Sequence, residues 1–269
     1  MLIAAASIIF YLITALYQAL QLSKKVSQNP AVIIFLSFLA VSLHGYASLK
    51  WMLTDQGVTF SLISIITIII FAVNCIALAS SFKRKCQDCI LLLFPLSALI
   101  LSIAMTTIAM KTKTVGIDTP LVSTQVGFHI FLSILSFSML TIAAFQALFL
   151  ALQEWRLRRK HFGNFPQILP SLQTMESLLF ETLWAGFGLL TLSLATGLIF
   201  FEDLFAQHLT HKAFFSLFSW IFFAILLWGR HFKGWRGKTA IRWTLVGFGT
   251  LALAYWGTKF VLEVLLSNP

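Results

Sequence analysis

The stretch QVGFHIFLSILSFSMLTIAAFQALFLALQ, residues 125–153, is followed at once by the basic segment EWRLRRK, residues 154–160. A helix rises about 1.5 Å per residue, so about 20 apolar residues cross a hydrocarbon core roughly 30 Å thick. The quoted stretch exceeds that length and has no acidic or basic residue other than one histidine. It therefore predicts a transmembrane helix that ends in a cluster of cations.

Seven further apolar stretches lie along the chain of 269 residues, separated by short polar loops. Their approximate bounds are 2–22, 31–51, 58–82, 89–110, 183–201, 213–229 and 243–266. Ahead of the stretch 183–201, the segment SLQTME at 171–176 predicts a capped and partly interfacial helix start. The chain is 59% hydrophobic and 10% charged, and no water-soluble fold could bury that much apolar surface. We therefore predict an all-α fold, a polytopic membrane bundle of about eight transmembrane helices. The first stretch lacks a positive n-region, so we interpret it as a retained helix rather than a cleaved signal.

Basic residues are concentrated in alternate loops. The loops after the first, third, fifth and seventh helices hold fourteen lysines and arginines, and the opposite side holds five. The positive-inside rule places the richer side in the cytoplasm. We therefore expect both termini to be extracytoplasmic, in a multi-pass protein of the bacterial inner membrane. The net charge of +10 then reflects loops beside anionic lipid, and we expect no nucleic-acid partner.

A polar loop over residues 111–124 contains the helix breakers Gly116 and Pro120. It separates four predicted transmembrane helices in residues 1–124 from four in residues 125–269. We expect the two halves to form one integrated membrane domain.

Four of the six histidines fall toward the extracytoplasmic side in this orientation. His44 lies about 10 Å below the outer end of the second helix, and His129 lies near the start of the fifth. His208 and His211 lie in the loop between the sixth and seventh helices. Neutral imidazoles at one depth suit haem iron, which takes axial ligands from two sides. The alternative is structural: His44 hydrogen-bonds a neighbouring helix, and the loop histidines are ordinary interfacial residues.

Other motifs give little support for an enzyme. Cys86 and Cys89 form a Cys-x-x-Cys beside a basic run, on the predicted cytoplasmic side, where thiols stay reduced. The sequence has no second such pair to complete a zinc site. We interpret this pair as incidental. The sequence has no Walker loop, Gly-x-Ser-x-Gly or His-Glu-x-x-His, and no acidic pair lies in mid-membrane. We therefore expect no enzymatic activity.

From the fifth helix onward the sequence resembles the cytochrome c assembly proteins, the family that includes CcsA, CcmC and HemX. The similar segments run in order over about residues 125–260: HIFLSILSF at 129–137, LALQE at 150–154, MESLLF at 175–180, LLTL at 189–192, SLFSW at 216–220 and GWRG at 234–237. Segments 202–212 and 226–230 are most similar to the YpjD-type inner membrane proteins of bacteria.

This resemblance implies a membrane protein that handles haem at its outer face, in cytochrome c maturation or haem-related assembly. It implies that His129 is an axial ligand of haem iron, and we predict His44 or His211 as the second. We also assign Lys212 to a haem propionate and Trp220 to the cofactor site. The expected partners are the lipid bilayer and a membrane or extracytoplasmic assembly partner. The rival interpretation is a non-haem accessory or transport-associated subunit that modulates a partner protein.

Overall fold

A computed structural model describes residues 1–23, 26, 29–54, 57–59, 61–81, 90–110, 118–119, 124–158, 171–200 and 210–257. Within these ranges the chain forms eight α-helices. They are α1 Leu2–Leu22, α2 Pro30–Met52, α3 Leu62–Ser81, α4 Ile90–Met110, α5 Thr124–Arg158, α6 Leu172–Phe200, α7 Thr210–Lys233 and α8 Lys238–Ala252. Six are long and apolar enough to cross a membrane, and α3 adds a shorter apolar helix. The predicted all-α, multi-pass membrane bundle is confirmed.

Several helix starts follow from local hydrogen bonds. The Asn29 side chain accepts the Ala31 N–H at 3.1 Å, and Pro30 occupies the first turn of α2, where its missing N–H costs nothing. The Ser171 hydroxyl likewise accepts the Thr174 N–H at 3.3 Å. This cap starts α6 at residue 172, where the sequence predicts a capped helix start, and the helix continues through the predicted membrane span to Phe200.

The start of the third helix is later than the sequence predicts. A small antiparallel ribbon, β1 Leu53–Thr54, β2 Gly57–Thr59 and β3 Asp118–Thr119, occupies the positions around residue 58. Backbone groups that pair between strands are unavailable for helical bonds, so α3 begins only after Ser61. The Ser61 hydroxyl then accepts the Ser64 N–H at 3.2 Å.

The chain divides into two compact units. In the unit that holds the described residues up to 119, α1 and α3 each pack against both α2 and α4. In the unit that holds those from 124 onward, α5 and α7 each pack against both α6 and α8. A π-helical turn, Leu253–Gly257, continues α8. The integration of the two halves into one domain and the orientation in the membrane stay predictions.

Small polar residues lie between helices in both units. The Ser7 hydroxyl on α1 donates to the Ala40 carbonyl on α2 at 2.9 Å, and the Ser219 hydroxyl on α7 donates to the Gly247 carbonyl on α8 at 2.8 Å. Because lipid cannot hydrogen-bond a polar group, a helix must satisfy such groups internally or against its neighbours. Buried hydroxyls therefore help to fix which helix faces meet.

An ionic cluster joins the start of α6 to the end of α7. The Glu176 carboxylate accepts a hydrogen bond from the Arg230 guanidinium at 2.7 Å and lies 3.5 Å from Arg236 Nε. Arg230 also donates to the Trp235 carbonyl at 3.2 Å and lies 4.4 Å from the centroid of the Phe180 ring. The cluster holds the α7–α8 loop, where Gly234 and Gly237 have positive φ, against α6.

Candidate functional site

His129 lies in the second turn of α5, at its contact with α6. Three polar contacts, which we call the α5–α6 ladder, join these antiparallel helices. They are His129 Nδ1 to Thr196 Oγ1 at 3.1 Å, Ser133 Oγ to Ser193 Oγ at 2.7 Å, and Ser136 Oγ to the Gly186 carbonyl at 3.2 Å. The imidazole is half-buried. Its contact with Thr196 is the one nearest the start of α5, and the other two contacts lie further along the helix.

The hydroxyl of Thr196 fixes the tautomer of His129. Its single proton is directed at backbone carbonyls of its own helix, Leu192 at 3.0 Å and Ser193 at 2.9 Å. Thr196 Oγ1 must therefore accept from His129, which places the ring proton on Nδ1. Nε2 then carries a lone pair, and it faces Ser133 Oγ at 3.4 Å, longer than a good hydrogen bond.

Gly197 on α6 makes room for the imidazole. A Cβ placed at this position would lie 3.0 Å from His129 Cε1 and 3.5 Å from Nδ1. A ring whose Nδ1–H is held by a protein oxygen is typical of metal-bound histidine. His129, Thr196 and Gly197 therefore fit one axial ligand of haem iron.

Tyr255 is a residue of this site that the sequence did not reveal. It lies in the π-helical turn after α8, a type of distortion frequent at functional sites. Its ring centroid is 4.7 Å from that of Phe137 on α5, the residue after Ser136 of the α5–α6 ladder. Tyr255 therefore packs beside the ladder.

The remaining candidates of the second unit lie on α7. The Trp220 indole donates to Thr191 Oγ1 at 2.9 Å and stacks on Phe187, with centroids 5.5 Å apart. Thr191 and Thr196 are five residues apart, about 140° around α6. Trp220 therefore packs on a different face of α6 from His129, and its place in a cofactor site stays a prediction.

The first turn of α7 lies at the same end of the antiparallel unit as His129 and Tyr255. Lys212 is half-buried there and has no hydrogen bond or ion pair to another described residue. The backbone of His211 lies in the same turn, and its side chain is outside the described residues. His208, Cys86 and Cys89 also lie outside the described ranges.

His44 belongs to a buried polar network inside the first unit. Its Nδ1 is 2.9 Å from the Tyr11 hydroxyl, which is 3.1 Å from Asn74 Nδ2, and Asn74 Nδ2 is 2.9 Å from Ser97 Oγ. These four side chains come from α2, α1, α3 and α4 in turn. His44 is only 1% exposed. The network therefore gives His44 the structural role that the sequence left open as an alternative.

The network also indicates the tautomer of His44. The Ser97 hydroxyl donates to the Leu93 carbonyl at 2.7 Å, so it accepts from Asn74, whose amide nitrogen also donates to Tyr11. Tyr11 is then left to donate to His44 Nδ1, which places the ring proton on Nε2. Nε2 is buried close to the backbone of Thr67, without a well-formed hydrogen bond among the described residues. The choice of His44 as a haem ligand stays a prediction, and its surroundings do not favour it.

Tyr11→Phe should destabilise the protein, because it deprives buried His44 and Asn74 of a shared partner. An unsatisfied buried polar group costs about 1–3 kcal/mol in water-soluble proteins and somewhat less in membranes. We expect a lower thermal unfolding midpoint in detergent. Tyr46→Phe, at a residue 48% exposed on α2, is the control and should unfold like the wild type. Equal midpoints for both variants would show that the network adds no stability.

The described ranges contain no group of three histidine, cysteine or acidic side chains that could hold a metal ion by themselves. The fold and the site thus define a multi-pass membrane protein that presents one oriented imidazole at the end of a four-helix unit. The chain belongs to the cytochrome c assembly protein family, whose sequence model matches residues 1–266.

Individual relatives match about a third to a half of the chain. Inner membrane protein YpjD of Escherichia coli K12 is 37% identical over 137 residues, 51% of this chain and 52% of the relative. Cytochrome c biogenesis protein CcsA of Guillardia theta is 26% identical over 150 residues, 49% and 50% of the two chains. CcsA of Gloeobacter violaceus is 27% identical over 97 residues, 35% and 29%. The chain thus spans at most about half the length of these relatives, and no solved structure matches it significantly.

Proposed function

We propose that this protein is an inner-membrane component of cytochrome c assembly that holds haem at one end of the α5–α8 unit. Membership of the cytochrome c assembly family supports the process, as do two relatives named as cytochrome c biogenesis proteins. The name of the E. coli relative, an inner membrane protein, supports the inner membrane as the location of this protein. A membrane or extracytoplasmic assembly partner belongs to the same proposal.

The geometry of His129 carries the proposal. A histidine can ligate iron only through a nitrogen that bears a lone pair, and Thr196 leaves that lone pair on Nε2. Because Nδ1–H is held and Gly197 supports the flat ring, the imidazole is oriented before a ligand arrives. Such pre-organisation reduces the entropy that is lost on binding.

The other residues would have supporting roles. When bound, haem would supply an iron centre for axial ligation and a flat apolar macrocycle for burial. Lys212, which lies at the same end of the unit, would pair with a propionate carboxylate. His211, in the same turn of α7, is the proposed second ligand in this unit.

The proposal is tested with the full chain purified in detergent. Its visible spectrum should show a Soret band, or gain one on titration with haemin, and pigment and metal analysis should find haem and iron together. A colourless protein that gains no band with haemin would contradict haem binding. If that protein co-purified stoichiometrically with one membrane partner, an accessory subunit would be supported instead.

Gly197→Ala should weaken haemin binding. The new Cβ would lie 3.0 Å from His129 Cε1, so the ring must move and its bond to Thr196 is strained. Overpacking of this kind costs about 1–3 kcal/mol, and we expect roughly tenfold weaker binding by absorbance titration. Gly188→Ala on the same helix is the control, because a Cβ there meets nothing within 4 Å. Equal affinities for the two variants would show that Gly197 does not support the ligand.

A further inference from the structure

The connection between α7 and α8 is packed tightly against both helices. Trp235 lies so close to α7 that a Cβ at Gly229 would be 2.4 Å from its ring, and the Trp235 N–H donates to the Gly229 carbonyl at 3.2 Å. The Trp235 ring also stacks on Trp243 of α8, with centroids 5.8 Å apart. Together with the hydrogen bond from Arg230 to the Trp235 carbonyl, these contacts fix the backbone between the two helices.

This fixed backbone carries an excess of positive charge. Residues 230–242, which we call the basic hairpin, contain no acidic residue and five cations, Arg230, Lys233, Arg236, Lys238 and Arg242. Among the described residues their one carboxylate partner is Glu176, which pairs with Arg230 and Arg236. Lys233, Lys238 and Arg242 are exposed and have no ion pair with a described residue. An anion bound at the basic hairpin would therefore relieve the repulsion between like charges.

The outward face of α8 changes from cationic to apolar along the helix. Lys238 and Arg242 are exposed near its start, and Val246 and Leu253 are exposed further along the same face. Arg242 and Leu253 are eleven residues apart, about 16 Å along the helix. That distance is about half of a hydrocarbon core roughly 30 Å thick, which is the depth of one lipid leaflet.

The outward face of α7 has the same arrangement in the opposite chain direction. Ile221, Trp228 and Phe232 are exposed at spacings of seven and four residues, which places them on one face. The centroids of the Trp228 and Phe232 rings are 5.4 Å apart, and the Lys233 ammonium lies 5.5 Å from the Trp228 centroid. Aromatic rings beside cations are typical of the boundary between hydrocarbon and lipid headgroups.

We propose that the basic hairpin is a binding site for an anionic phospholipid. The lipid phosphate would lie at Lys233, Lys238 and Arg242, and the acyl chains would follow the outward faces of α7 and α8. A zwitterionic phospholipid carries the same phosphate with an added cationic group, which these side chains repel, so charge selects the anionic lipid. Because the backbone is fixed before the lipid arrives, less entropy is lost on binding than at a flexible basic loop.

The test counts the lipids that bind to the full chain in detergent by native mass spectrometry. Phosphatidylglycerol should bind in one saturable step, several-fold more tightly than phosphatidylcholine with the same acyl chains. Inorganic phosphate at the same concentration should not displace it. Equal uptake of the two lipids without saturation would show an ordinary lipid annulus and overturn the inference. Displacement by inorganic phosphate would show that the hairpin binds a free anion and would overturn it as well.

Lys238→Gln should weaken the binding of phosphatidylglycerol about fivefold, the contribution of one cation beside an anionic lipid, and leave phosphatidylcholine unaffected. The double variant Lys238→Gln, Arg242→Gln should weaken it about 25-fold. Lys50→Gln is the matched control, because it makes the same substitution at an exposed lysine of α2 and changes the net charge equally. Wild-type binding in the double variant, or an equal loss in Lys238→Gln and Lys50→Gln, would overturn the inference.

Discussion

His129→Ala should abolish the Soret band of the purified protein and its gain of absorbance with haemin. In the proposed function His129 is an axial ligand, so its loss would remove the bond that fixes the iron. No other described side chain in the α5–α6 ladder is an imidazole. The change should leave the fold intact. The ring is half-buried, and the Thr196 hydroxyl still donates to the Leu192 carbonyl at 3.0 Å when the ring is gone. We therefore expect complete loss of the band with a nearly unchanged unfolding midpoint.

His231→Ala is the matched control for this experiment. His231 is exposed near the opposite end of the same unit, in the last turn of α7, and should have no effect on the spectrum. A band that survives His129→Ala at wild-type intensity would place the axial ligand elsewhere. A band lost equally in both variants would point to general instability instead.

The sequence was sufficient to predict the helices, because their main determinant is apolar length. A run such as residues 125–153 has no stable alternative to a transmembrane helix, and the structure extends it to α5 Thr124–Arg158. The helix ends depend on hydroxyl caps and backbone pairing. The Ser171 cap of α6 is predictable from the sequence, whereas the ribbon β1–β2 that delays α3 depends on pairing between strands.

Part of the candidate site could also be predicted. The sequence predicts His129 as a site residue, and Ser133 and Ser136 follow it at four and seven residues, the spacing of one helix face. Its partners Thr196 and Gly197 are more than sixty residues away in sequence, and nothing local links them to a histidine on another helix. Their role depends on how α5 and α6 pack.

His44 and His129 show what sequence patterns cannot separate. His44 and His129 both lie in apolar stretches near a predicted outer end. Their difference comes from the hydroxyl that faces Nδ1. The Thr196 hydroxyl donates to a backbone carbonyl and accepts from His129 Nδ1. The Tyr11 hydroxyl accepts from Asn74 and donates to His44 Nδ1. The ring proton therefore lies on opposite nitrogens in the two residues.

Glu176→Gln should lower the stability of the protein without changing haemin affinity. The Glu176 and Arg230 side chains are only 16% and 24% exposed, so the variant leaves Arg230 as a largely buried cation without a counter-charge. Breaking a buried pair costs about 3–5 kcal/mol, and partial exposure of both groups reduces this to about 1–3 kcal/mol. The measurement is the thermal unfolding midpoint in detergent. Haemin affinity should stay unchanged because Glu176 and Thr196 are twenty residues apart on α6, about 30 Å along the helix.

Glu154→Gln is the control, since it removes the same charge from an exposed pair. Glu154 bonds Arg158 at 2.7 Å within α5, and the Arg158 side chain is 62% exposed, so the pair contributes only about 0.3–0.5 kcal/mol. Both variants raise the net charge equally, so a difference between them reports the local pair rather than overall repulsion. Equal midpoints would show that the Glu176 cluster does not hold the α7–α8 loop in place. A loss of haemin affinity confined to Glu176→Gln would instead show that this cluster controls the distant end of α6 where His129 is held.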